Sequence, residues 1–220
     1  MNADAGGSDV RHRALLEWQA LSDALLRGLV HALNNRLTSL SAFAELSAMG
    51  EDDFSAARTL PAELERLGRL SAHFRLLASE GESPEALELG AMLDDALALH
   101  AHHPRIRPVH YELVREVPHV AVRAPKRPLH RLLLLFIESG AVFAEQRGHA
   151  ETVLRLHVDE AWVIVHGDGA TVTPGITESA AACGALAAQR GDGVEIRLPS
   201  LTSLRRQERE ARDARDAGAN

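Results

Sequence analysis

Cysteine is almost missing from this sequence. Cys183 stands alone among 220 residues, so no disulfide can close within the chain, as expected in a reducing cytoplasm. A small, buried, apolar role is expected of it. Long hydrophobic runs are missing too. The longest, Leu132 to Ile137, is far too short to cross a bilayer. No N-terminal stretch joins a basic start to an apolar run, so no signal peptide is expected. Neither a membrane segment nor a separate sensor domain is expected to feed this chain, which reads as cytoplasmic. An excess of positive charge is also absent: the net charge of −7 argues against a nucleic-acid footprint. Aromatics amount to only 4%, while alanine and leucine abound, a balance that points to helices packed through aliphatic side chains. What is there is ordinary for a globular protein, 45% hydrophobic and 25% charged, with room for one large domain or two small ones.

Residues 1–9, small and polar, are expected to be disordered. From Val10 to about Met49 a helical pattern runs without proline, and with glycine only at Gly28. Residues 50–53 read as a turn, with Asp52 or Asp53 as N-cap. A second helix is expected from Phe54 to about Ser79, with Pro61 either kinking it or marking its true first turn. Two long helices joined by a short turn form an antiparallel hairpin. Pairing with a second copy into a four-helix bundle buries its remaining face. The segment 81–87, GESPEAL, reads as a linker.

Beyond it, helices are expected at 89–102, 128–145 and 177–189, with strands at 109–114, 119–122, 151–158, 161–166 and 193–198. The fold class is therefore α+β: a helical hairpin over 10–80, then a two-layer α/β sandwich over 87–200. Residues 201–220 form a charged tail, a frayed helix or disorder without an apolar face. There is no internal repeat.

The sharpest feature lies in residues 25–43. With residues about 100° apart on a helical wheel, Trp18, Leu21, Leu25, Leu29, Leu33, Leu37, Leu40 and Ala44 form one stripe. His31 projects opposite its centre, flanked by Arg27, Asn34, Asn35 and Thr38. An exposed imidazole in a polar strip suits phosphoryl transfer, which needs a free ring nitrogen open to a partner. His100, His102 and His103 read instead as a solvated helix end, with no cysteine or carboxylate cluster to complete a metal site.

The stretch HALNNRLTSLSAFAEL resembles the H-box of sensor histidine kinases, whose phosphoacceptor histidine opens a motif often reading H-[DE]-L-N-N-x-L. ALELGAMLDDALAL resembles the first helix of the kinase ATP-binding domain. HVAVRAPKRPLHRLLLLFIESGAVFA is similar to the strand and helix bearing its asparagine-rich N-box. VLRLHVDEAWVIVHGDGA resembles the hairpin before the G1 box, and GALAAQRGDGVEIRLPSL the last helix and strand. The resemblance spans about residues 10 to 200.

It fails at the residues that would use ATP. Where N-box asparagines are expected stand Leu135, Glu138 and Ser139, and a carboxylate beside a triphosphate is a poor substitute. In HGDGATVTPG, Asp168 does not meet the D-x-G-x-G spacing. The nucleotide lid and second glycine box have almost no chain to occupy. Gly167, Gly169 and Gly175 read as turn residues. Ala32 replaces the acid that follows the histidine in kinases, a general base that aspartate–histidine exchange does not need. These departures resemble bacterial histidine phosphotransferases of the ChpT type. That resemblance implies a homodimer passing phosphate between aspartates of response-regulator receiver domains through His31. Arg27, Asn34, Asn35 and Thr38 would surround the receiver's site, and the degenerate domain would be a second docking surface. No cofactor is expected in the chain, the magnesium being the receiver's. Two alternatives stay open. One is a divergent kinase that binds ATP. The other is a regulator-binding or phosphatase protein in which Asn35 orients water.

Overall fold

The computed structural model describes residues 3–48, 54–78, 83–104, 110–117, 119–148, 151–159 and 161–218. The hairpin consists of α1 (Ala3–Ala48) and α2 (Phe54–Ala78), packed against each other. Helix α1 begins well before Val10, so residues 3–9 are helical rather than disordered, and Asp9 pairs with Arg13 one turn on. Pro61 lies inside α2. The expected turn at 50–53 falls outside the described residues. Across the hairpin Glu63, buried on α2, accepts from Arg36 of α1 at 3.3 Å and from Arg66 on its own helix. A buried carboxylate needs such partners, since desolvation without them costs several kcal/mol.

The second unit begins with β1 (Pro84–Glu88), antiparallel to β3 (Ala121–Pro125). Residues 84–87, read as linker, are therefore paired strand. Glu88 then caps α3 (Leu89–His100), accepting from Gly90 N at 3.2 Å and from Ala91 N. After β2 (His110–Arg115) comes α4 (Lys126–Arg147), whose residues 132–137 are all buried. It ends where Gly148 adopts φ 68°. Strands β4 (Glu151–Asp159), β5 (Trp162–Gly167), β6 (Leu186–Arg190) and β7 (Gly193–Pro199) complete a five-stranded sheet of order β2-β4-β5-β7-β6. Only the β2–β4 pairing in it is parallel. Alternating residues of the sheet (Leu154, Leu156, Val163, Val165, Val194, Ile196, Leu198) meet the apolar run of α4 in one core.

The expected helix 177–189 is really α5 (Pro174–Ala182) followed by edge strand β6. Thr173 caps the start of α5, and Gly184 at φ 66° turns the chain, letting Ala185 N reach Ala180 O at 2.9 Å. That Gly-based stop overrides the helix propensity of the alanines around it. The tail is helix α6 (Leu201–Gly218), anchored by buried Ser203 and an Arg123–Glu208 ion pair. Cys183 is buried, and burial pushes its thiol up to about 12.

The hairpin does not stand apart from the sandwich. Leu21, Leu25 and Leu29 of α1 are buried in the same core, where α1 crosses α4 and α5. The apolar stripe read from the sequence thus divides: its first half faces the domain, while Leu37 and Ala44 are exposed. Truncating one of those buried leucines to alanine costs on the order of 2–5 kcal/mol.

Candidate functional site

Helix α1 carries His31 into solvent just beyond its contact with the domain. The contact is set by Gly28. A Cβ there would lie 1.6 Å from the carbonyl oxygen of His102 at the end of α3. Only glycine lets the two backbones approach so closely. One turn past His31, Asn35 lies 3.2 Å from its Nε2. The amide can only donate through Nδ2, so it meets the ring's lone pair, and the neutral ring carries its proton on Nδ1. Asn34 and Thr38 are exposed on the next turn, where Thr38 Oγ1 donates to Asn34 O at 3.0 Å. Arg27 is exposed one turn before His31. The structure therefore brings together the sequence-predicted Arg27, His31, Asn34, Asn35 and Thr38 on one solvent-facing stretch, with only Asn35 bonded to the ring.

Arg27 also lines a cleft of about 640 Å³ between α1, α4 and the 171–173 loop. Glu17, Ala20, Ala24, Arg27 and His31 recur at spacings of three and four, so one face of α1 runs from the cleft to the histidine. Four carboxylates line the space (Glu17, Asp23, Glu138 and Glu145) against Arg27 and an apolar wall of Leu21, Leu135, Val142 and Phe143. Glu17 accepts from Gly175 N at 2.8 Å, capping the first turn of α5 from the neighbouring helix. Glu138, where an N-box asparagine was expected, receives His100 Nε2 at 2.7 Å and faces His103 Nε2 at 3.8 Å. Asp168 is held by Arg155 at 2.8 Å and by His166 at 3.1 Å.

Residues 168–173 join β5 directly to α5, leaving no span for a lid. Gly169, at φ 73° and with Phe143 against it, is a turn glycine as expected. Gly167 ends strand β5, where an added Cβ would meet Phe136, and Gly175 lies in the first turn of α5.

The sequence missed two parts of this site. The carboxylates of α1 give no signal in the sequence, because nothing in their spacing says that another helix lies opposite. The histidines 100–103 looked solvated, yet the His100 and His103 side chains are only 5% and 7% exposed. They face Glu138 of α4, while His102 between them packs against Gly28 of α1 and His73 of α2. Among the described residues no group of three or more His, Cys, Asp or Glu is arranged to hold a metal ion, and no helix is long and apolar enough to cross a membrane.

No protein-family model matches this chain. No curated protein matches it either. Solved structures do resemble it. The Acinetobacter baumannii histidine kinase AdeS is 16% identical with a TM-score of 0.41, covering 78% of this chain and 98% of its own. The ATP-binding domain of PrrB from Mycobacterium tuberculosis is 14% identical with a TM-score of 0.43, covering 53% and 97%. The mycobacterial sensor histidine kinase MprB is 13% identical with a TM-score of 0.42, covering 53% and 97%. Likenesses at this level say nothing about activity, which has to be sought in the residues around His31 and the cleft.

Proposed function

We propose that this chain is a histidine phosphotransferase of two-component signalling, carrying a phosphoryl group on His31 between receiver-domain aspartates without using ATP. One observation carries the proposal: His31 is exposed on the hairpin, with its Nε2 lone pair met, among the described residues, by the Asn35 amide. In the forward step that lone pair attacks the phosphorus of an aspartyl phosphate. The N–P bond forms as the P–O bond to the aspartate breaks, and the carboxylate leaves with the bonding pair. The ring keeps its Nδ1 proton throughout, so Ala32 in place of a general base is no handicap. Transfer to a second aspartate is the same step reversed. Asn35 is placed to exchange its bond to Nε2 for one to a phosphoryl oxygen. Magnesium comes with the receiver.

The cleft supports the ATP-free half of the proposal. Four carboxylates line it against the single arginine Arg27, a charge balance that disfavours a triphosphate. We further propose a homodimer. Leu26, Val30 and Leu37 are exposed on α1 at heptad-like spacing with half-buried Leu33 and Leu40, and Leu60 and Leu64 are exposed on α2. A second copy of the hairpin covers such a face as a four-helix bundle.

The test is incubation with a receiver domain phosphorylated on its aspartate. Label should appear on His31 and be absent from His31→Gln. A chain that never becomes labelled, yet speeds receiver dephosphorylation even as His31→Ala, is a phosphatase instead. Micromolar binding of magnesium–ATP by calorimetry would mark a kinase.

A further inference from the structure

The turn that follows α3 touches both helices of the hairpin, and with His100 at the helix end it carries three histidines, His100, His102 and His103. The carbonyl of His102 presses on Gly28 of α1. Its ring stands edge-on to His73 of α2, with centroids 5.3 Å apart and planes at 63°. On either side, His100 and His103 face Glu138 of α4. His73 Nδ1 is buried without a hydrogen-bond partner, and so is Nε2 of the neighbouring, deeply buried His130. We infer that this joint, His73 against His102 beside Gly28, is an acid-sensitive latch: it holds the domain beside His31 near neutral pH and opens as the surroundings acidify.

Burial, more than the surrounding charges, favours uncharged rings. Burial, then the neighbouring His73, holds His102 below the ordinary histidine range. Burial also lowers His73, with Asp95 of α3 pulling the other way and Arg69 of α2 adding to the effect. Burial, then Lys126 and His73, pushes His130 down to about 4. Gly28 offers no side chain from α1. Glu138 of α4 is engaged by His100 and His103, with Tyr111 of β2 packed edge-on to His100 and bonded to Ile137 O. Asp95 thus acts on His73, and two protonated rings 5.3 Å apart would exceed it.

The sign follows from linkage. A histidine whose pKa is lowered in the closed state binds its proton only on opening. Closure is therefore at full strength above the free value of 6.5 and weakens as pH falls below it. For each histidine that takes up a proton, the closing constant drops by about tenfold per pH unit. Opening would carry the domain away from His31 and expose the faces of Leu21, Leu25 and Leu29 that α1 buries against it, with the helices themselves retained.

Trp18 reports on the joint. It lies on α1 against α4, with the Arg131 guanidinium 5.4 Å from its ring. In a Trp162→Phe background it is the sole tryptophan. Its emission is followed from about pH 8 to about pH 5 with helical content monitored by circular dichroism. The expected result is a reversible red shift that begins below about pH 6.5 at unchanged helicity. That shift should lose most of its pH dependence in His73→Gln/His102→Gln. Gly28→Ala should show the shifted emission at every pH. If the double variant is not folded, each single variant should lower the slope. Emission that stays constant across the range overturns the inference. So does a transition that persists unchanged in the histidine variants.

Discussion

Replacing Gly28 with alanine tests the packing of the whole molecule with one methyl group. On helix propensity alone the change stabilises α1 by about 1 kcal/mol. The new Cβ, however, would sit 1.6 Å from the His102 carbonyl oxygen and 2.7 Å from its carbon. Ordinary carbon–oxygen contact needs about 3.3 Å, so α1 and the end of α3 must part by roughly 1.7 Å. The obstacle is backbone, which has no rotamer to move out of the way. Overpacking of this kind costs about 1–3 kcal/mol. The upper end applies here, because a gap of even 1 Å along the faces of Leu21, Leu25 and Leu29 forfeits a quarter to a half of their dispersion energy. The net expectation is a loss of about 2 kcal/mol. Gly68 of α2 supplies the control: it is exposed and an added Cβ would meet nothing within 4 Å. Gly68→Ala should therefore gain about 1 kcal/mol. Urea unfolding of the two variants beside the parent measures both. If Gly28→Ala is as stable as the parent, or if the two variants shift in the same direction, the close approach of α1 to the domain is wrong.

Glu138→Asn, which puts the asparagine of the kinase N-box into the cleft, should not create magnesium–ATP binding in calorimetry, because Glu17, Asp23 and Glu145 still line it; micromolar binding would refute that account. Glu17→Ala should lower stability by about 1 kcal/mol in urea unfolding, the usual worth of a helix N-cap, since it strips the acceptor from Gly175 N. Asn35→Ala should still be labelled at His31 but more slowly in a rapid-quench transfer assay, whereas an unchanged rate would show that the amide plays no part. On the acid side, burial raises Glu88 and Glu195, but backbone N–H bonds to Glu88, and Arg197 and Arg190 beside Glu195, outweigh it and hold both below the ordinary carboxylate range. Their contribution is fully present above about pH 4.5 and is lost as pH falls through the lowered values, so Glu88→Gln should flatten the acid limb of a stability–pH curve.

The sequence alone determined what is set by local periodicity. Both hairpin helices, the apolar helix at 126–147 and the β4–β5 hairpin follow from 3.6- and 2-residue patterns, and so does the exposure of His31 opposite a leucine stripe. Local pattern misled where a single backbone conformation overrode it. Gly184 in the left-handed region ended α5 early and freed 186–190 to pair as an edge strand. Strand β1 likewise formed from a polar segment because β3 offered it a partner. Only the tertiary structure decided the rest. Gly28 was visible as the one glycine between Val10 and Met49, but its reason, a carbonyl from residue 102, lay far away in sequence. The carboxylates of the cleft and the histidines of residues 100–103 acquired meaning only when α1 came to lie across α4 and α5 and against the turn after α3. Charge and burial depend on what stands opposite a side chain, and no spacing within one helix records that.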